Sequence, residues 1–171
     1  SNDNKDLCPQ FGARVISGLE VKDSPLWMRD LLEKAGIKPV NNIIDITNYV
    51  AHELGQPLHA YDYKLLKDKS INVRESRDDE KITTLDGKER GDETSVSSGT
   101  HTVLLEAAEF CPSRIRKSSR ELKLRSDSSS RFENQIDREG LLFALDYAAF
   151  LMQELAGGSI AQGVAHEAVL Y

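Results

Sequence analysis

Short β-type patterns alternate along this chain with longer stretches of helical spacing. Alternating apolar and polar residues are typical of half-buried strands, and a β-branched run at 43–46 indicates a buried one. Asp86-Gly87 favours a hairpin turn into an unusually short returning strand at 88–90. The tail at 159–169 is expected to be extended. Strands are therefore predicted at 11–21, 43–46, 70–75, 81–85 and 102–105.

Three helices are predicted from apolar residues at helical spacing. The first begins with Ser24 as N-cap and Pro25 at its first helical position, and Trp27 and Met28 are interpreted as core residues. The other two start after Pro112 and at a cap formed by Asp137, and the last ends at Gly157-Gly158. A small polar segment with clustered hydroxyls, 125–132, lies between them.

The stretch 41–62 combines the β-branched run with polar residues at element ends. A helical turn is expected at 49–54 and stops at Gly55-Gln56-Pro57, because glycine fits a left-handed C-cap and proline cannot continue a helix. Two interpretations stay open: a polar site on a rigid scaffold, or a capped turn whose side chains bond to backbone. The polar residues concerned are Thr47, Asn48, Gln56 and His59.

Length and charge narrow the class of protein. A chain of 171 residues indicates one domain or two small ones fused, and a formal charge of −6 argues against a protein that coats nucleic acid, though not against a local basic patch. No apolar run approaches the ~20 residues of a membrane span, and no secretory signal pattern is present. Residues 1–7 are expected to be disordered or tag-like. Since the chain begins with Ser1 and not Met, a fragment of a longer protein is expected.

The cysteines and histidines do not predict a metal site. Cys8 and Cys111 form no CxxC pair, and we expect reduced thiols in the cytosol, with a disulfide left open. His52-Glu53 starts like a zinc-protease motif, but no second histidine follows within one helical turn.

A single carboxylate and a basic segment are two further candidates for functional groups. Glu106 follows an apolar strand; a buried carboxylate there needs a hydrogen bond or takes a raised pKa, whereas the alternative is a side chain in solvent. The segment 114–125 is strongly basic and could meet phosphates, or it is a solvated helix face balanced by acids elsewhere. Its cations are Arg114, Arg116, Lys117, Arg120, Lys123 and Arg125.

Four segments of the chain together carry a specific pattern: CPQFGARVISGLEV, IIDITNYVAHELGQPLHAYD, ITTLDGKER and VLLEAAEFCPSRIRKSSRELKLRSDSSSRFENQID. In this order they resemble the editing domain of the bacterial phenylalanyl-tRNA synthetase β subunit, and the resemblance runs from about Cys8 to Gly163. It implies one such domain over 8–171, with an α+β fold: a central, mostly antiparallel β-structure flanked by about three helices. This agrees with the pattern of strands and helices above.

The resemblance also implies a function. This domain hydrolyses tRNA(Phe) mischarged with tyrosine, in the cytoplasm, and needs no cofactor or metal of its own, whereas the parent enzyme uses ATP and Mg2+. Its partners are the acceptor end of tRNA(Phe), the α subunit and the other β-subunit domains. The implied substrate-binding residues are Glu106, Lys38, Pro57, Ser126 and Ser128; the implied catalytic residues are His59, Asn48 and Thr47; Arg114, Arg116, Lys117 and Arg120 are candidates for RNA binding.

The residue types suit this chemistry. Glu106 can accept a hydrogen bond from the phenol of tyrosine, and phenylalanine would leave that acceptor unpaired. Because the aminoacyl ester is already activated, positioning of water and ester supplies much of the acceleration. We expect His59 and Asn48, helped by Thr47, to orient the ester or the water; His59 as general base is the alternative.

Two departures from the family pattern bear on activity. Many relatives carry alanine where this chain has Ser128. Between Arg90 and Gly91, relatives carry roughly two dozen further residues that help to wall the pocket, as the aborted hairpin also indicates. The competing hypothesis is therefore a non-catalytic tRNA-binding or structural module of the same subunit, in which His59 and Glu106 are idle.

Overall fold

The fold is an α+β arrangement built on one antiparallel sheet. The computed structural model describes residues 4–75, 83–84, 88–89 and 94–169. Its sheet has the order β2-β5-β1-β6, and β7 also pairs with β1. These strands are β1 Gln10–Ser17, β2 Leu58–Asp62, β5 Thr102–Glu109, β6 Ser159–Ile160 and β7 Ala165–Ala168, while β3 Thr83–Thr84 and β4 Lys88–Glu89 form a separate antiparallel pair.

Five helices accompany this sheet within the described residues, where three were predicted. They are α1 Leu26–Lys34, α2 Asn42–Leu54, α3 Pro112–Glu121, α4 Asp127–Glu133 and α5 Leu141–Ala156. The predicted fold class is confirmed, and so are the left-handed C-cap at Gly55, with φ 77°, and the end of the last helix at Gly157. No helix in the described part of the chain is both long and apolar enough to cross a membrane.

The main core lies on one face of the sheet, under α2 and α5. Leu141, Leu145 and Met152 of α5 are fully buried there. The helix comes close to the sheet at Gly12, where a Cβ atom would stand 3.1 Å from a methyl of Leu145 and would force a shift. This close approach needs a residue without a side chain in the central strand.

The predicted strand at 43–46 is wrong, because these residues form the first turns of α2. Asn41 caps the helix: its side-chain oxygen accepts hydrogen bonds from the backbone N–H groups of Ile43 at 3.1 Å and Ile44 at 3.0 Å. Ile43, Ile46 and Val50 then recur at helical spacing and are fully buried. Burial of this apolar face outweighs the β preference of the isoleucines.

Two predicted helix caps are also wrong. Pro25 occupies the N-cap position of α1, while the Ser24 hydroxyl donates to the buried Asp45 carboxylate at 2.5 Å. Gly140 precedes α5, and Asp137 instead accepts a hydrogen bond from the backbone N–H of Glu139 at 3.0 Å. In both cases the side chain bonds to another group, and no side chain caps the helix end.

Further boundaries differ from the prediction. Trp27 is 45% exposed and meets the edge of Tyr49, whereas Met28 is fully buried as predicted. In 70–75 the described structure holds one isolated bridge residue, Val73, and no strand. The polar segment 125–132 contains most of α4, which composition alone did not reveal.

Other predictions fall partly outside the described residues. The β3–β4 pair agrees with the predicted hairpin, but its turn, 85–87, and the junction at Arg90 and Gly91 lie outside that range. Of the N-terminal segment 1–7, which was expected to be disordered or tag-like, residues 1–3 also lie outside that range. At its end, the Leu7 carbonyl accepts a hydrogen bond from the backbone N–H of Cys111 at 2.9 Å. Cys8 and Cys111 do not form a disulfide with each other.

Candidate active site

A pocket of about 230 Å3 lies on the face of the sheet opposite the main core. Side chains alternate along a strand, so the residues between the core-facing Ala60, Leu105 and Ala107 point to this other face. Strands β2 and β5 form its floor, and α4 forms a wall. The lining consists of Pro57, Leu58, His59, Tyr61, Glu106, Ala108, Phe110, Ser128 and Phe132.

The strand register brings the two ionisable groups of the pocket together. His59 and Glu106 are directly paired residues of β2 and β5, a relation that places Cβ atoms about 5 Å apart. On its other side Glu106 pairs with Ala13 of β1, which is buried. Tyr61, two residues after His59, shares this face, and the two rings lie 4.3 Å apart between centroids.

Helix α4 forms one wall of the pocket. The Ser126 side chain accepts a hydrogen bond from the backbone N–H of Ser129 at 3.1 Å. The Ser129 hydroxyl in turn accepts one from the backbone N–H of Ser126 at 2.9 Å, and the two bonds form a capping box. Ser128 and Phe132, four residues apart, share the helix face towards the pocket. Phe132 meets Phe110 edge-on at 5.1 Å between ring centroids, which ties the helix to the end of β5.

Gln56 fixes the loop between α2 and β2 to the sheet. Its side-chain amide is buried and donates hydrogen bonds to the carbonyls of Pro57 at 2.9 Å and Ala108 at 3.1 Å. The loop between α2 and β2 is therefore fixed to the strand that carries Glu106, and Pro57 is placed at the pocket edge.

Burial sets the protonation chemistry of the pocket. Burial raises the pKa of Glu106 from 4.5 to about 7, and a hydrogen bond from the Tyr61 hydroxyl opposes this rise. Burial, followed by the nearby charge of Glu106, raises the pKa of Tyr61 well above its usual value of 10. Tyr61 is therefore a phenol that donates to Glu106, and Glu106 changes charge close to neutral pH.

Half of the eight predicted site residues line this pocket: Pro57, His59, Glu106 and Ser128. The prediction that Glu106 ends its strand is wrong, because β5 continues to Glu109 and places the carboxylate mid-strand. Of the two alternatives for Glu106, the buried one applies: the half-buried carboxylate accepts a hydrogen bond from Tyr61, and burial raises its pKa.

The other four predicted residues are not among the lining residues. Thr47 is buried in α2, and its hydroxyl donates to the Ile44 carbonyl at 2.7 Å. Asn48 is half-buried on the same helix, Lys38 is exposed in the preceding loop, and Ser126 caps α4. Their proposed roles therefore stay predictions.

Sequence reasoning missed the aromatic part of the lining. Tyr61 lies two positions after His59, so the period of a strand would have placed it on the same face. Phe110 and Phe132 gave no such signal, because their contact joins a strand end to a helix that was not predicted.

The basic helix α3 is only partly free to bind a ligand. Arg114 pairs with Glu75 at 3.1 Å, and Lys117 lies 3.8 Å from Glu121. Arg116 donates to the Glu133 carbonyl at 3.0 Å, while Arg120 takes no part in an ion pair within the described residues. The interpretation as a helix face balanced by acids therefore holds for two of the four predicted RNA-binding cations.

Comparison with known proteins places this α+β domain in a family. The model of the B3/4 domain matches residues 7–91 and 90–157, so the chain belongs to the B3/4 domain family. Similar proteins are phenylalanine–tRNA ligase β subunits from Carboxydothermus hydrogenoformans, 45% identical over 92% of the chain, Moorella thermoacetica, 43% over 92%, and Shouchella clausii, 42% over 96%. The resemblance found in the sequence is confirmed.

The chain matches only a part of each relative. It spans 22% to 23% of the length of these three β subunits. The alignment with the Carboxydothermus protein extends over 180 positions although it uses 92% of a 171-residue chain, so some aligned positions have no counterpart here. The family model is also split at 90–91, where the sequence predicts an omitted segment, and that segment stays a prediction.

Proposed function

We propose that this chain is an editing domain, which hydrolyses the aminoacyl ester of tyrosyl-tRNA(Phe) within a phenylalanyl-tRNA synthetase β subunit. The observation that supports this most is the placement of Glu106. Its carboxylate is half-buried in a pocket with aromatic walls, directly across the strand pair from His59. The relatives are β subunits of this ligase, which makes such a substrate available to the domain.

Glu106 is proposed to recognise the side chain of the substrate amino acid. When ionised, its carboxylate accepts a hydrogen bond from the phenol of tyrosine, whereas phenylalanine leaves a buried polar group unpaired. Tyr61 donates to the same carboxylate and so acts as a positioning residue that fixes its orientation. Phe110, Phe132 and Ala108 supply apolar contacts for the aromatic ring.

His59 is the proposed residue at the ester. It is exposed at the pocket edge, as a group that meets the end of a large RNA must be. Its imidazole orients the attacking water or accepts its proton; water oxygen bonds to the carbonyl carbon, the ester C–O bond breaks, and the tRNA hydroxyl leaves with a proton. No nucleophilic side chain is required, because the ester is already activated.

The remaining assignments are proposed as the resemblance implies them. Asn48, helped by Thr47, orients the ester or the water with His59. Lys38 and Ser126 bind the substrate, and Arg116 and Arg120 contact RNA. The proposed partners are the acceptor end of tRNA(Phe), the α subunit and the other β-subunit domains, in the cytoplasm. We place ATP and Mg2+ chemistry in the parent enzyme and not in this domain.

The proposal is tested with the 171-residue chain and two substrates, tyrosyl-tRNA(Phe) and phenylalanyl-tRNA(Phe). Release of each amino acid is followed over time, with spontaneous hydrolysis subtracted. Selective release of tyrosine is the expected result. Equal or absent release, under conditions in which a complete synthetase releases tyrosine, contradicts the proposed activity of this chain.

A non-catalytic tRNA-binding module is the second candidate. The observation that favours it is the split of the family match at 90–91, beside a chain that lacks some aligned positions. In that case tRNA(Phe) binding persists without ester hydrolysis, and replacement of Glu106 changes neither. Measuring binding and release on the same samples separates the two functions.

A further inference from the structure

A second recess, of about 360 Å3, lies where α3 meets α4. Four of its six lining side chains are cationic, and one is a carboxylate. The lining consists of Arg116, Ser119, Arg120, Lys123, Arg125 and Glu133.

The positive charge in this recess is not balanced by the described residues. The single carboxylate, Glu133, already accepts a hydrogen bond from Arg125 at 3.1 Å. Neither Arg120 nor Lys123 has a salt bridge or side-chain hydrogen bond within the described ranges. In a chain of net charge −6, such an uncompensated pair of cations marks a place for an anion.

The helix end accounts for only one of these two cations. Arg120 lies in the last turn of α3, where a positive charge stabilises any helix. Lys123 follows the helix and has φ 51°, in the left-handed region that glycine adopts more easily. Asp68, Lys69 and Gln135 adopt the same region, so the charge of Lys123, and not its backbone, bears on the recess.

We propose that this recess binds two neighbouring phosphate groups of an RNA strand whose 3′ end enters the pocket, one through Arg120 and one through Lys123. Helix α4 joins the two sites: Ser128 and Phe132 line the pocket, and the next residue, Glu133, lines the recess. The identity of the strand as tRNA(Phe) rests on the proposed function. Arg114 and Lys117 are not part of this site, because they do not line the recess and instead pair with Glu75 and Glu121.

The test is the salt dependence of binding to unacylated tRNA(Phe), measured by fluorescence anisotropy. The Arg120→Ala/Lys123→Ala variant is compared with Lys64→Ala/Lys67→Ala, which removes the same charge at the same spacing from exposed positions outside both sites. Loss of two phosphate contacts reduces the slope of log K against log salt by about 1.4. Raising salt from about 50 to about 200 mM then weakens wild-type binding about 7 times more than variant binding.

A second variant separates binding from folding. Lys123→Gly removes the charge and eases the left-handed backbone, so the melting temperature is expected to hold or rise while the salt slope falls by about 0.7. An unchanged slope in both recess variants, or an equal fall in the Lys64→Ala/Lys67→Ala control, overturns the proposal.

Hydrolysis of tyrosyl-tRNA(Phe) by the unaltered chain is measured on the same preparation. Hydrolysis with an unchanged slope in the recess variants refutes the recess and leaves the proposed function standing. A reduced slope without hydrolysis refutes the proposed function and supports the recess.

Discussion

The two faces of the sheet differ in what their side chains contact. Towards α2 and α5, residues such as Leu105 and Leu145 are fully buried among apolar neighbours. Towards α4, the same strands carry the half-buried Glu106, the exposed His59 and Tyr61, whose hydroxyl bonds to Glu106. One strand pair therefore supplies the main core on one side and, on the other, ionisable groups beside a pocket and next to a smaller apolar cluster.

This difference separates the source of stability from the proposed source of function. The core face gains free energy from close packing, which is lost when a side chain is shortened. The pocket face holds a carboxylate whose burial favours its neutral form, which is a cost to the folded state above neutral pH. Substitutions on the two faces should therefore act on different observables.

The largest expected effect on stability comes from Leu145→Ala. This fully buried residue of α5 loses packing and leaves a cavity, so the free energy of unfolding should fall by about 2–5 kcal/mol in urea titration. Phe143→Ala, on the exposed side of the same helix, is the control and should change it by about 0.5 kcal/mol or less. Equal losses in the two variants would mean that α5 is not the core helix.

His59→Ala should have the opposite profile. Loss of a positioned acid–base group lowers the rate of tyrosine release by about 100-fold or more, while stability stays within about 0.5 kcal/mol because the residue is exposed. His52→Ala, on the exposed side of α2, is the matched control and should leave both unchanged. Tyrosine release at the wild-type rate in His59→Ala would remove this residue from the mechanism.

Glu106→Gln should change how stability depends on pH. The folded-state pKa of Glu106 is raised from 4.5 to about 7, so its neutral form stabilises the fold at low pH, and this contribution is lost as pH rises to about 7. From about pH 5 to about pH 8, the wild type should lose up to about 3 kcal/mol more than Glu106→Gln in urea titrations. Glu121→Gln, on exposed surface, should run parallel to the wild type; parallel curves for Glu106→Gln too would show that the carboxylate is not buried.

Tyr61→Phe should produce the smallest effect. It removes the hydroxyl that donates to Glu106 and holds down the pKa of that carboxyl, so the pH midpoint of the stability difference should move upward. Tyrosine release should fall by about tenfold or less, the usual worth of one neutral donor. Tyr63→Phe, outside the pocket, serves as the control. An unmoved midpoint would refute the positioning role.

All three predicted helices exist as α1, α3 and α5, whereas only β1 and β5 of the main sheet were predicted as strands and β2 was missed. Strands β1 and β5 carry clear alternation or an apolar run, and Gly55-Gln56-Pro57 correctly ends a helix. The isoleucines at 43–46 misled because their β preference was weighed without the two features that decide the helix. The Asn41 cap is a local signal that was overlooked, whereas burial under α5 is tertiary. Helix α4 was missed because its serines favour loops by composition, while its capping box depends on side-chain geometry.

The site was predictable only where a strand period or a motif located a residue. His59 and Glu106 came from the motif resemblance, and their pairing required the register of β2 and β5. Thr47 and Asn48 are close to His59 in sequence, but α2 places Thr47 in its buried face. The alternation of side chains along a strand predicts the position of Tyr61. No local pattern predicts the contact between Phe110 and Phe132, because only the fold brings them together.

The central claim is that Glu106 recognises the phenol of the substrate by a hydrogen bond. The most direct test measures release of tyrosine and of phenylalanine from tRNA(Phe) by wild type and Glu106→Ala. Loss of a hydrogen bond to a charged group should lower tyrosine release by about 10- to 150-fold and leave phenylalanine release unchanged. An equal fall for both amino acids, or no fall for tyrosine, would contradict the account.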